Sequence, residues 1–165
     1  MEHRIEVYNN LGNNSRALCL TENLRRLFRT QGLVSVNRPV NVILGFMDPQ
    51  TVIDVHARLA GLFVSGVGGP RVEGRHMMID TGAWNNFDIM LHPRLRVDEV
   101  AETLAHESVH ICQFVTGRLR LIALPGAKLQ IWEDGLVPND TKYENLPWER
   151  EAHAMQVALG NTVNM

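Results

Sequence analysis

The sequence predicts an α+β fold, a single domain in which a small mixed sheet packs on one long helix and on a second helix near the C-terminus. Three observations predict it. Residues Asp98 to Thr116 repeat apolar side chains at the 3.6-residue period of a helix. Val40–Phe46 and Phe87–Leu91 are apolar runs rich in β-branched or aromatic residues. Asn145-Leu146-Pro147 opens a further helical pattern that runs to about Leu159 and ends at Gly160. With 165 residues, 45% of them hydrophobic, the chain can bury a substantial core as one domain over residues 1–165, and it shows no internal repeat or low-complexity linker.

In chain order, Tyr8 to Ser15 are turn-rich and read as loop. Leu24, Leu27 and Phe28 give a short amphipathic helix, with Thr21 as N-cap and Gly32 as its stop. Val40–Phe46 reads as a sheet-interior strand. Asp48-Pro49 then opens a helix, Asp as cap and Pro at the first helical position. Its apolar face collects Val52, Ile53, Val55, Leu59, Ala60 and Phe63, and His56 points into it as a core histidine bonded to backbone. Gly66, Gly68, Gly69 and Pro70 mark a flexible loop that lacks the Gly-Lys-Ser/Thr ending of a phosphate loop.

Strands at His76–Ile79 and Phe87–Leu91 are joined by Asp80-Thr81-Gly82-Ala83, which resembles the catalytic loop of retroviral-type aspartic proteases. Such enzymes are almost all β, whereas this chain turns helical soon after, so Asp80–Gly82 reads as a strand-end turn. His92, beside Pro93, has no evident partner. Asp98 caps the long helix, with Glu99 and Glu102 in its first turns where the helix dipole favours them, and Gly117 stops it. Leu119, Leu121 and Ala123 alternate as a short strand or extended arm. Leu129–Trp132 and Leu136-Val137 flank Asp134-Gly135, a two-residue hairpin turn.

The chemistry concentrates in the long helix, at His106-Glu107-Ser108-Val109-His110. Two histidines four apart project from one side of a helix, a spacing that lets two neutral imidazoles bind one Zn²⁺. Glu107, beside the first, can hold and deprotonate a metal-bound water. Val100, Leu104, Ile111 and Phe114 centre a broad apolar arc. His106, His110, Glu99, Thr103 and Gln113 occupy the other side, with Glu107 at the boundary. A catalytic zinc takes three protein ligands. The third must lie downstream, because Gln113 and Thr116 stand where a metzincin continuation needs Gly and His. In the last helix Glu149, His153 and Gln156 share a face, while Glu151 lies well around from Glu149 and reads as solvated.

His106-Glu107-x-x-His110 together with Glu149-Arg150-Glu151-Ala152-His153 resembles the gluzincin-type zincin metallopeptidases, over roughly residues 76–159. The resemblance implies a zincin-like fold, a zinc cofactor held by His106, His110 and Glu149, and Ala152 as a close-packing neighbour of the ligand. His153 departs from the family's Asp or Asn at that position; it either orients a histidine ligand from behind or displaces Glu149 from the metal. The resemblance further implies that Phe87–Leu91 is the edge strand pairing with an extended polypeptide substrate. Catalysis would then rest on Glu107 as the base, with Tyr143 and His153 as donors to the oxyanion. Trp132 and Trp148 read as core or cleft wall.

A formal charge of −2, from 16 basic and 18 acidic residues with no long run of either sign, argues against nucleic-acid and polybasic membrane partners. No apolar run approaches the ~20 residues that span a bilayer, and Met1 to Glu6 lack signal-peptide character. Cys19 and Cys112 read as free thiols, so the expected compartment is the cytoplasm. The expected function is zinc-dependent peptide-bond hydrolysis. The alternative is a zincin-like protein whose zinc is structural and whose role is binding, for example as a component of a phage particle.

Overall fold

The computed structural model describes residues 3–58, 63–72 and 79–164. The fold is α+β, with two four-stranded sheets and four α-helices among the described residues. The first sheet has the order β1-β2-β5-β3, built from β1 (Ile5–Asn9), β2 (Val40–Phe46), β5 (Asn86–Leu91) and β3 (Gly66–Pro70). β1, β2 and β5 run parallel, and β3 joins the far side of β5 antiparallel. The second sheet is antiparallel, in the order β4 (Ile79–Asp80), β6 (Leu119–Leu124), β7 (Ala127–Trp132) and β8 (Gly135–Val137). The helices are α1 (Ser15–Thr30), α2 (Pro49–Arg58), α3 (Val97–Val115) and α4 (Pro147–Gly160).

The core follows from period-two burial in the parallel strands. Val40, Val42 and Leu44 of β2 and Phe87, Ile89 and Leu91 of β5 are essentially fully buried, and the register aligns Val42 with Phe87 and Leu44 with Ile89 on one face. Leu20, Leu24 and Leu27 of α1 and Leu104 and Ile111 of α3 join the same apolar cluster. Each such side chain contributes roughly 1.5–3 kcal/mol by leaving water. Phe114 of α3 stacks on Phe87 with ring centroids 5.8 Å apart. α3 is thereby seated against the sheet along its length, and α4 packs across it with Ala152 fully buried at the crossing.

Several expectations are corrected. Tyr8 and Asn9 belong to β1, and α1 begins at Ser15, where Asn14 accepts from the Ala17 amide at 2.8 Å. Thr21 is therefore interior to α1, and its hydroxyl donates back to the Ala17 carbonyl. Gly32, at φ +84°, does end that helix, with the Leu33 amide donating to the Phe28 carbonyl in a Schellman closure. Asp48 caps α2 through the Thr51 amide at 2.7 Å, yet only Val55 of that helix is buried. Ile53, Phe63 and His56 are exposed, whereas Leu59, Ala60 and His76–Met78 lie outside the described residues. His92 has partners after all, its ring lying 5.0 Å from that of Phe63 and its Nδ1 accepting from the Arg94 amide.

The cap of α3 lies two residues earlier than expected. Arg96 occupies the cap position, its amide bonded to Glu99 Oε1 at 3.1 Å, and Asp98 falls inside the first turn. The β7–β8 turn is shifted by one residue. Glu133 and Asp134 take the left-handed conformation (φ +47° and +69°), and Gly135 pairs with Trp132 as the first residue of β8. Asp80, Thr81 and Gly82 form the expected turn: the Asp80 carboxylate holds Arg120 in an ion pair and accepts from the Gly82 amide.

Two corrections concern the sheet edge. Gly66–Pro70 is a strand, β3, and not a loop, while Phe87–Leu91 lies between β2 and β3 and cannot be an edge. The glycines explain the change. A Cβ on Gly66 would sit 2.5 Å from Thr103 Cγ2, and one on Gly68 would sit 2.7 Å from Glu107 Oε2. Alternate residues of a strand face one way, so Gly66 and Gly68 are the two positions where β3 presses its bare backbone against α3. These glycines serve close approach, since neither has a positive φ.

Candidate metal centre

α3 presents His106 and His110 one turn apart, and α4 delivers Glu149 opposite them from its own first turn. Pro147 at the first helical position of α4 fixes that entry, with Leu146 extended before it. The donor atoms converge. His106 Nε2 lies 3.1 Å from Glu149 Oε2, His110 Nε2 lies 3.0 Å from Oε1, and the two Nε2 atoms are 3.1 Å apart. The imidazole planes are nearly perpendicular, at 82°. His106, His110 and Glu149 could together hold a metal ion, and among the described residues they form the one such group of three.

The other ring nitrogens are engaged behind the centre. His106 Nδ1 is 2.8 Å from Gln156 Oε1, and His110 Nδ1 is 2.9 Å from Gln113 Oε1. Acceptors at Nδ1 place the proton there and leave each Nε2 turned towards the common point. The Tyr143 hydroxyl donates to Glu149 Oε2 at 2.6 Å and lies 3.2 Å from His153 Nε2. His153 is exposed and packs its ring edgewise on that of His106, with centroids 4.7 Å apart. It stands beside the cluster, bonded to Tyr143, while Glu149 is the α4 side chain that reaches both histidines.

Burial and charge set the protonation states. Burial opposes a charge on His110, but the Glu149 carboxylate outweighs it and the imidazole is pushed up to about 9. His106 moves the same way, burial again being overcome by Glu149 and Glu107. The Glu149 carboxyl, although burial resists ionisation, is held well below its ordinary range by the two imidazoles and the Tyr143 hydroxyl. Burial and the neighbouring Glu149 raise the Tyr143 hydroxyl. Without a metal ion, the charged forms of His110 and Glu149 thus favour one another.

Glu107 behaves differently. It is buried, desolvation raises its carboxyl above the ordinary carboxylate range, and it takes no hydrogen bond or ion pair among the described residues. Its side chain lies against the backbone of β3 at Gly66 and Gly68 and faces a cleft of about 680 Å³. Residues 65–68 along β3 form one wall of that cleft, and Tyr143, Glu149 and His153 line the other.

Sequence reasoning missed what stands behind the ligands. Gln113 is 1% exposed, facing α4 and not solvent. Its amide donates to the Trp148 carbonyl and to Glu151 Oε1, both at 3.1 Å. Glu151, expected in solvent, is clamped by Arg118 through two bonds of 2.8 and 2.5 Å, which hold its carboxyl below the ordinary range against the cost of burial. Arg118 in turn pairs with Glu133 and lies 4.7 Å over the Trp132 ring. Trp132 and Trp148 face each other with centroids 6.3 Å apart, Trp148 in the core and Trp132 half-buried against it; neither lines the cleft. The available signal for Gln113 was its place three residues after His110, on the ligand side of α3.

Cys19 and Cys112 are free, and burial pushes the Cys112 thiol up to about 12, which leaves it inert. Among the described residues no helix is long and apolar enough to cross a membrane. Comparison with protein-family models, curated proteins and solved structures found no match to this chain.

Proposed function

We propose that this chain is a zinc-dependent metallopeptidase of zincin type, hydrolysing peptide bonds of an extended polypeptide. The observation that carries the reading is Glu107: an unpartnered carboxylate, buried beside a convergent His106–His110–Glu149 donor set and open to the same cleft. A structural zinc closes its coordination with a fourth protein ligand and has no use for such a base. The donor set suits zinc. Bonds of about 2.0–2.1 Å meeting at the tetrahedral angle place donors about 3.3 Å apart, within a few tenths of the 3.0 and 3.1 Å spacings observed.

Zinc, when bound, supplies a Lewis acid that polarises a carbonyl and lowers the pKa of water towards neutrality. The protein's own groups do the rest. Glu107 accepts a proton from the attacking water and returns it to the leaving amine, a shuttle favoured by a carboxyl whose pKa burial has raised. The Tyr143 hydroxyl, released from Glu149, donates to the developing oxyanion, and His153 holds that hydroxyl in place from its other side. β3, an edge of its sheet among the described residues, offers free backbone groups beside Glu107 to which an extended peptide can add as a further strand. The cleft lining includes Glu99, Glu102 and Glu144 and no lysine or arginine among the described residues, which favours neutral or basic peptides.

The test is Glu107→Gln, assayed on a library of unstructured peptides and for bound zinc. Zinc content should match wild type, and hydrolysis should fall roughly 10²–10⁴-fold, the usual worth of a general base. Wild-type activity should vanish with chelator and return with Zn²⁺. If the wild type holds stoichiometric zinc and cleaves nothing in the library, the peptidase reading fails and the binding role replaces it.

A further inference from the structure

We infer that Gln113 is the positioning residue of the metal centre: it fixes the tautomer and ring orientation of His110, and it is itself oriented by the Trp148 carbonyl and the Arg118–Glu151 pair. The inference rests on the metal-binding part of the proposed function and is independent of peptidase activity.

Donors and acceptors around Gln113 fix which way its amide points. A glutamine side chain has one end that donates and one that accepts. One end of the Gln113 amide faces the Trp148 carbonyl and Glu151 Oε1, each at 3.1 Å. A carbonyl can only accept, and so can Glu151, whose carboxylate is ion-paired with Arg118. That end must be the NH₂ group, and its two hydrogens match the two acceptors. The other end, 2.9 Å from His110 Nδ1, is therefore the carbonyl oxygen. An acceptor there requires a proton on Nδ1, so Nε2 is the nitrogen that faces Glu149 and His106 and would give its lone pair to a metal ion. The whole relay is buried or half-buried, so water offers little substitute for any member.

The equivalent contact on the other ligand lacks this anchoring. Gln156 Oε1 lies 2.8 Å from His106 Nδ1, but among the described residues nothing accepts from the Gln156 amide nitrogen. The fixed half of the centre is His110. The relay also crosses elements: Gln113 and His110 are on α3, Trp148 and Glu151 on α4, and Arg118 lies between Gly117 and β6. The seating of α4 and the tautomer of His110 are consequently set by the same amide.

Gln113→Met, which keeps the length of the side chain and removes both roles, tests the inference on the full chain. Two quantities are measured: the zinc dissociation constant by chelator competition, and the His110 ring N–H signal in ¹H–¹⁵N spectra of the zinc-loaded protein. Zinc should bind roughly 10–100-fold more weakly, the range for loss of an outer-sphere partner, and the Nδ1–H signal should lose its hydrogen-bonded shift and its protection from exchange. Glu151→Ala, at a half-buried position, should move both quantities in the same direction by less. A residue with only a packing role would lower thermal stability and leave the N–H signal in place. Gln113→Met binding zinc within about threefold of wild type with an unmoved signal overturns the inference. If Gln113→Met does not fold, an unchanged Glu151→Ala, in affinity and in signal, overturns it instead. Wild-type protein that binds no zinc would refute the metal reading itself, a separate result.

Discussion

Gly68→Ala places a single methyl group between β3 and Glu107, the proposed base, and its consequence can be worked out from distances. The new Cβ would lie 2.7 Å from Glu107 Oε2, 3.1 Å from Glu107 Cβ and 3.4 Å from the Glu107 carbonyl oxygen. Reaching ordinary contact of at least 3.4 Å requires the carboxylate to move by about 0.7 Å and the α3 backbone to give by about 0.3 Å. Gly68 has no left-handed φ, so alanine brings no backbone strain, and the perturbation is confined to this contact. Overpacking of this kind costs about 1–3 kcal/mol, and displacement of a reacting group by about 1 Å can cost 10²-fold in rate. The three atoms nearest the new methyl group all belong to Glu107 and none to His106, His110 or Glu149, so zinc should stay bound. The assay is threefold: thermal melting, zinc content, and hydrolysis of an extended peptide. The melting cost should shrink when Gly68→Ala is made in a Glu107→Ala background, because the carboxylate it collides with is gone. Full activity in Gly68→Ala, or an equal melting cost in both backgrounds, would refute the packing of β3 on Glu107.

Three further outcomes follow from the same geometry. Glu149→Ala should weaken zinc binding by more than the roughly 10–100-fold typical of an outer partner, whereas His153→Ala should keep zinc within a few-fold; chelator competition on both separates ligand from neighbour. In the metal-free protein, folding raises His110 from its ordinary 6.5 to about 9, so its contribution to stability is whole below pH 6.5 and is lost as pH climbs through about 9, while that of Glu149, whose pKa is lowered, is present above its ordinary 4.5 and lost as pH falls; melting temperatures from pH 4 to 10 should peak between those limits, and a flat profile from 6.5 to 9 would contradict it. The same proton competes with zinc, so apparent zinc affinity should fall about tenfold per pH unit below about 9, read by titration with proton release. Asp80→Asn should leave zinc and hydrolysis unchanged and cost at most about 1 kcal/mol in a melt, because its ion pair with Arg120 is partly exposed.

What could be read in the sequence was whatever a single element encodes within a few residues. α3, α4 and β2 declare themselves by period, and the His106–His110 pair by its spacing on one helix. β3 was illegible for a physical reason. Its glycines are loop formers by conformational freedom, yet here they are strand residues because α3 leaves no room for a Cβ. No local pattern separates these two uses; only the neighbour does. The edge strand was misplaced as a direct result, since removing β3 from the sheet makes β5 its border. The polar side of α3 shows a similar limit. Periodicity identifies which side is apolar, but not that the other side meets α4, so Gln113 was grouped with the ligands without its role being visible.

The second sheet seemed remote from the chemistry in sequence, and Arg118 shows why it is not. Glu133 and Asp134 both take left-handed backbone without being glycine, which costs on the order of 1 kcal/mol or more per residue. The turn persists because Arg118 accepts from the Glu133 amide at 2.8 Å and grips the Glu133 carboxylate with its guanidinium. The same guanidinium lies over Trp132 and clamps Glu151, the acceptor that helps to orient Gln113. One cation therefore ties the β7–β8 turn to α4 and, through one amide, to His110. With a carboxylate on either side of its guanidinium, the half-exposed Arg118 is fixed in direction, where a lone exposed pair would be worth little. The hairpin sheet is in this way part of the support of the candidate metal centre, although none of its residues belongs to the His106–His110–Glu149 group.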